Sequence, residues 1–298
     1  MPPTNEDGPA ASPDAPSMGA VIDRLDRAAI LARRDPLRAG NIVDLPEKDD
    51  VVILGDIHGD RENFRRVVDW ASLRRHKHRY LVLQEVIHGG PRDAGGGDVS
   101  FRLLEEAADL KCRFPSQVQM ILSNHDLCEV LGSVINKAGK NVSAPFWRGI
   151  ANAYGPAWPE VHGAYRRFLS AQPLAVRTPS GLFISHSTPQ RSALPRFDYT
   201  VFDRSLSMDD YLPGGSVYEL VWGRNHDQAA ADEFARHVGA EILITGHQTS
   251  LPGVKTPTTR HIILTSDGPL GRFMALRLNV RAPYHVVLRQ ARKIRSLR

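Results

Sequence analysis

The residues able to do chemistry in this chain recur in one setting: a short apolar run that breaks off into carboxylate, imidazole or carboxamide. Val51-Val52-Ile53-Leu54 leads through Gly55 to Asp56 and His58. The run at 80–83 leads to Glu85 and His88, and the run at 118–122 to Asn124 and His125. The run at 182–185 ends at His186, and the run at 242–245 passes Gly246 to reach His247. Such runs read as buried strands. The carboxyl edge of strands in an open α/β sheet is where ligand sites lie. One such end is common, since a turn aspartate or a core histidine produces it. Five in one chain are hard to assign to chance, and neutral imidazole is the commonest side-chain metal ligand.

The ligand types suggest two cations. Asp56 and His58 can hold the first, and Asn124, His186 and His247 the second. Two ions about 3.5–4 Å apart repel strongly unless a carboxylate lies between them. Asp56 can bridge, and Glu85 is the other carboxylate available. Mixed nitrogen and oxygen donors favour first-row metals such as Mn, Fe or Zn over Ca.

The order Gly-Asp-x-His-Gly at 55–59, a strand-end acid at Glu85, Asn124-His125-Asp126, a lone His186 and Gly246-His247 resembles the calcineurin-like metallophosphoesterase superfamily. In motif style it is similar to phosphoprotein phosphatases and bacterial diadenosine-tetraphosphate hydrolases. The similarity spans about 51–278. It implies a four-layer α/β/β/α sandwich, two divalent or trivalent metal ions with Mn favoured, and Asp56, His58, Glu85, Asn124, His186 and His247 as their ligands. It assigns His125 a catalytic role beside the leaving-group oxygen, and makes Arg224 a phosphate clamp, a role that suits a planar guanidinium. The second motif departs from the family's Gly-Asp-x-x-Asp-Arg-Gly: this chain has Gln84-Glu85-Val86-Ile87-His88-Gly89-Gly90. Glu85 falls on the bridging acid and is one methylene longer. His88 falls on the acid that orients the catalytic histidine, and Gly89 replaces an arginine, for which Arg92 is a nearby substitute.

The implied reaction is hydrolysis of a phosphomonoester, including a phosphoserine or phosphothreonine protein, by a metal-activated water with His125 as general acid. Dinucleotide polyphosphate hydrolysis is the rival enzyme reading. A metal-binding phosphate-ligand sensor without turnover is the rival of another class.

The elements that must position these groups follow from the patterning. The chain has 298 residues, enough for one large α/β domain. Its 42% hydrophobic and 24% charged content is that of a globular protein. Residues 1–18, rich in Pro, Ala, Ser and Asp, read as a disordered leader. The phosphoesterase domain is expected over 19–285, with a helical cap at about 144–171 broken near Gly155-Pro156. The region 94–97 reads as a flexible loop, and 262–264 and 273–276 as antiparallel strands. A basic tail at 286–298 is expected to fray or be disordered.

The net charge of +5 permits a phosphorylated small molecule or phosphoprotein as substrate. No basic run is interleaved with aromatics, so no nucleic-acid partner is expected, and the run at 74–79 reads as a solvated turn. No apolar stretch nears the roughly 20 residues needed to cross a bilayer. With two cysteines and no framework, and no secretory signal pattern, a cytoplasmic protein is expected.

Overall fold

The computed structural model describes residues 17–134, 136, 137 and 140–297. The expected leader lies outside them apart from Ser17, which caps the first helix, and Met18, which opens it. That helix, α1 (Met18–Arg33), buries Val21, Leu25, Ala28, Ala29 and Ala32 along one stripe. Two short strands follow, β1 (Arg38–Ala39) and β2 (Ile42–Asp44), then β3 (Asp50–Asp56), α2 (Arg61–Ala71), β4 (Tyr80–Gln84), α3 (Phe101–Arg113), β5 (Val118–Met120) and α4 (Asn124–Leu131). Next come an antiparallel pair, β6 (Asn136–Lys137) and β7 (Lys140–Asn141), and the helices α5 (Ser143–Tyr154) and α6 (Trp158–Leu169). The second half runs β8 (Ala175–Arg177), β9 (Leu182–Ser185), α7 (Met208–Tyr211), α8 (Ser216–Trp222), α9 (Gln228–Val238), β10 (Ile242–Thr245), β11 (Val254–Lys255), β12 (His261–Leu264), β13 (Arg272–Arg277), α10 (Tyr284–Leu288) and β14 (Arg292–Lys293).

The strands form two main sheets, ordered β14-β13-β3-β4-β5 and β1-β2-β8-β9-β10-β12-β11. β3, β4 and β5 are parallel neighbours, as are β9, β10 and β12. Alternation along β3 assigns the layers. Val51 and Ile53 point between the sheets, into a core with Ile184, Ile244 and Leu264. Val52 and Leu54 point outward against Leu25, Phe64, Leu104 and Tyr165 of the helices. Behind the other sheet, Phe183 and Leu243 pack on Leu220 and Phe234 from α8 and α9. The architecture is therefore a four-layer α/β/β/α sandwich. Burial of each such large apolar side chain contributes about 1.5–3 kcal/mol. β3 approaches β12 so closely that a Cβ on Gly55 would fall 1.9 Å from the Leu264 carbonyl oxygen. Only glycine fits there.

Four regions differ from the sequence expectation. The antiparallel expectation for 262–264 and 273–276 holds in part: β12 is antiparallel to β11 but parallel to β10, and β13 is antiparallel to β3 in the other sheet. Runs that are apolar on both faces carry no directional information, which is why their partners were not legible. The basic tail is docked rather than frayed. β14 pairs with β13, Ile294 and Leu297 are buried, and the Arg292 guanidinium lies 5.1 Å from the Trp70 ring centroid. The loop at 94–97 is tied down, with Gly97 N–H donating to Asp93 Oδ1 and Asn152 Nδ2 holding the same carboxylate. The helices α5 and α6 bury Phe146, Ile150, Val161, Tyr165 and Phe168 in the same core as α1 and α3. They extend the outer helical layer, and Phe146 and Trp147 at the start of α5, with His162 of α6, reach the flank of the site.

Candidate metal centre

The parallel strands of both sheets deliver their polar ends to one edge. Asp56 is the last residue of β3, and His58 lies in the turn beyond it. Glu85 follows β4, Asn124 and His125 open α4 just past β5, His186 follows β9, and Gly246-His247 follows β10. Backbone bonds hold the tips together: the N–H groups of Ile57 and His58 donate to the Glu85 carbonyl, and Ser266 and Asp267 donate to that of Asp56. A capping box fixes the start of α4. Ser123 Oγ accepts from Asp126 N–H, and Asp126 Oδ2 accepts from Ser123 N–H. Asp126 thus earns its place beside Asn124 and His125 as a helix cap.

The backbone under the site is unusual. Among the described residues, the non-glycine positions at positive φ include His58 (45°), Glu85 (48°), His88 (61°) and His247 (66°). Left-handed conformation costs a branched or long side chain energy, and it clusters where function over-determines geometry. Gly246 belongs to the same constraint. A Cβ there would lie 2.1 Å from Asp56 Oδ1, the atom that accepts the His247 N–H at 2.8 Å.

The side chains converge on Glu85. His125 Nδ1 lies 2.8 Å from Glu85 Oε1, and His186 Nε2 lies 2.9 Å from Glu85 Oε2. Neither contact is aligned as a hydrogen bond: both Glu85 oxygens and His125 Nδ1 are buried without one, as is His247 Nε2. Asn124 Oδ1 is 2.7 Å from His186 Nε2 and 2.9 Å from His247 Nδ1. Asp56 is 4.0 Å from His58 Nε2 and 3.9 Å from His186 Nδ1. Two donor sets result, His58–Glu85–His125 and Asp56–Glu85–His186, each with ligand atoms within 4.8 Å of one another and Glu85 common to both. Buried donors left without hydrogen bonds are expensive, and mixed N/O sets of this kind suit two first-row cations. The residues present therefore fit the pair of metals the sequence implies.

The electrostatics agree. Burial drives the Asp56 carboxyl up to about 6, partly offset by His186 and reinforced by Glu85. Burial also works against the Glu85 carboxylate, yet His125 and His186 override it and hold Glu85 well below the usual range. The Asp126 carboxyl is pushed up to about 7 by burial and by Glu85. Burial, His186 and Arg224 keep His247 well below its ordinary value. His186 moves the other way: burial works against its charge, but Glu85 and Asp56 outweigh burial and raise it above its ordinary value.

Of the residues singled out from sequence, Asp56, His58, Glu85, Asn124, His125, His186 and His247 come together. Arg224 lies exposed at the rim beside His247, its carbonyl accepting from Gln248 Nε2. Arg92 is exposed on the loop after Gly90, and its guanidinium donates to the Gly96 carbonyl. His88 is adjacent to His125, but its hydrogen bond runs elsewhere, from Nε2 to Glu129 Oε1 at 2.9 Å. With no carboxylate at position 88, His125 Nδ1 turns to Glu85 instead.

Two functional neighbours were missed. Gln84 stands where the motif has glycine. Its Nε2 donates to the Leu54 carbonyl, so its Oε1 is free to accept from His186 Nδ1 at 3.0 Å, turning His186 Nε2 toward Glu85 and Asn124. Glu129 sits one turn after His125 on α4, where sequence alone reads a solvated face. An open depression of about 560 Å³, lined by His58, Gly89, Gly90, Pro91 and Gly268, adjoins the centre.

A four-layer sandwich with a histidine- and carboxylate-rich centre at the carboxyl edge of its strands defines a metal-dependent hydrolase. The sequence pattern of calcineurin-like phosphoesterases matches residues 50–250, and the chain belongs to that family. It is a metal-dependent phosphoesterase, of a family that uses two metal ions, and its substrates are phosphorylated compounds. The fold is similar to that of a protein serine/threonine phosphatase from Saccharomyces cerevisiae, at TM-score 0.65 and 14% identity, covering 88% of this chain and 83% of that one. It is also similar to a cold-active protein-tyrosine phosphatase of a psychrophilic Shewanella species, at TM-score 0.58 and 13% identity, covering 86% and 82%. No curated protein matches the chain. Among the described residues no helix is long and apolar enough to cross a membrane.

Proposed function

We propose that the chain is a phosphomonoesterase, with phosphoserine or phosphothreonine proteins among its candidate substrates, acting in a reduced cytoplasmic setting. The observation that carries this reading is Glu85: a buried carboxylate shared by two donor sets, with neither oxygen hydrogen-bonded. Asp56, His58 and Glu85 would hold one cation, and Glu85, Asn124, His186 and His247 the other. When bound, such a pair offsets charge on phosphate oxygens and lowers the pKa of water. Mn is the favoured occupant, with Fe or Zn as alternatives.

The remaining steps belong to the chain. His125 Nδ1 faces Glu85, so the other ring nitrogen is the one that gives a proton to the leaving alkoxide. Arg224, at the rim, offsets charge on the phosphoryl oxygens. The depression beside His58 and Gly89 admits the leaving group, and the absence of a side chain at Gly89 keeps it open. That openness also suits the larger dinucleotide polyphosphates, the second enzyme reading. Purified protein with Mn²⁺ should hydrolyse p-nitrophenyl phosphate or a phosphopeptide, and Asp56→Asn and His125→Ala should each abolish turnover. A wild type that binds two metal equivalents yet turns over no phosphomonoester, phosphopeptide or dinucleotide would leave the sensor reading in its place.

A further inference from the structure

Outside the metal ligands, a fully bonded polar cluster surrounds Glu129. Its Oε1 accepts from His88 Nε2 at 2.9 Å, and its Oε2 accepts from His162 Nε2 at 2.7 Å and from Trp147 Nε1 at 3.0 Å. The carboxylate is buried, with 1% side-chain exposure, and His88 is wholly buried. Three donors meet one carboxylate from α5, α6 and the tip of β4. Burial pushes against that charge, but the bonds from His162, His88 and Trp147 outweigh it and hold Glu129 at about 2.

His88 is immobilised on every side. Its backbone N–H donates to Ser100 Oγ, the next N–H donates to Asp98 Oδ2, and Phe146 meets the ring edge-on with centroids 4.6 Å apart. A carboxylate has no proton to give, so the hydrogen in the His88–Glu129 bond must sit on Nε2. In the neutral ring Nδ1 is then the acceptor, and it is buried and without a hydrogen bond among the described residues. The His125 ring lies beside the His88 ring, centroids 5.1 Å apart and planes at 43°.

We infer that Glu129 is a positioning residue for His125: it locks His88 as the Nε2–H tautomer, and the locked His88 ring, with its bare Nδ1, sets the orientation of the His125 ring. The carboxylate that the family pattern places at position 88 has in effect moved one residue further out, onto α4, with His88 inserted between it and His125. His162 and Trp147 take the second oxygen and keep the carboxylate from turning away. This inference rests on the phosphoesterase reading for its kinetic arm only.

The test combines a tautomer readout with kinetics. Long-range ¹H–¹⁵N correlation on labelled protein, with the His88 signals assigned by their loss in His88→Gln, should show a protonated Nε2 and an unprotonated Nδ1. In Glu129→Gln that pattern should change. Its kcat should fall by about 10-fold or more, with KM and metal content unchanged. Wild-type His88 protonated on Nδ1 overturns the proposal without any Glu129 variant. So does a folded Glu129→Gln whose kcat stays within twofold, or whose loss follows metal content alone. Trp147→Phe, which removes one donor but leaves the His88 bond, should keep the wild-type tautomer. A loss of the His88 pattern in that variant as large as in Glu129→Gln would reassign the ring's orientation to general packing. If wild type turns over no phosphoester, the functional reading fails, while the tautomer measurement still decides the role of Glu129.

Discussion

Glu85 and Glu129 are two buried glutamates, each touched by two histidines, in opposite condition. Around Glu129 both oxygens are hydrogen-bonded, by His88, His162 and Trp147. Around Glu85 both oxygens lie against ring nitrogens of His125 and His186 and neither is hydrogen-bonded. The same residue type in the same company serves as an internal anchor in one place and as a ligand in the other. What separates them is satisfaction of the lone pairs, since a buried polar network is stable only when complete.

The strongest way to break this contrast is to neutralise Glu85. Glu85→Gln should lower kcat by more than the about 10–100-fold typical of outer-sphere partners and reduce bound metal. A Glu85→Gln protein that keeps both metal equivalents would erase the distinction. The converse change is Glu129→Ala, which strands two imidazoles and an indole N–H. It should destabilise by about 3–5 kcal/mol, read from the denaturant midpoint. A shift under 1 kcal/mol would show the cluster to be idle.

The contrast is sharpened by Gln84, which orients His186 without touching Glu85 itself. Gln84→Leu should weaken metal binding about 10–100-fold in a calorimetric titration. The smallest effect is a pH dependence. The Asp126 carboxyl is raised to about 7 in the folded protein. A raised carboxyl stabilises the fold fully below its unfolded pKa, and that contribution is lost as pH rises through the folded value. In metal-stripped protein the melting temperature of wild type should therefore fall relative to Asp126→Asn between the ordinary carboxylate range and about pH 7. Parallel profiles for the two proteins would contradict the assignment.

Much of the centre was legible because each ligand follows an apolar run that can only be a buried strand. Asp56, Glu85, His186 and His247 announce themselves by where hydrophobicity stops. The layer order followed from the resemblance, but strand partners did not. β12 and β13 are apolar on both faces and name no neighbour. Glu129 was illegible for a related reason: an acid on a helix reads as solvent-facing until the three donors from α5, α6 and the His88 turn are in place. Gln84 was visible only as a missing glycine, and its contact with His186 spans the two sheets. The tail was misjudged because Ile294 and Leu297, its two anchors, are outnumbered by basic neighbours.

The left-handed backbone at His58, Glu85, His88 and His247 sets this chain's stability against its activity. Each such residue costs about 1–3 kcal/mol in a conformation that glycine adopts freely. A glycine at any of the four would relieve that local strain and remove the side chain for which the strain is held. Directed evolution for heat resistance alone should drift toward glycine at these sites, and selection that also demands catalysis should keep the histidines and the glutamate.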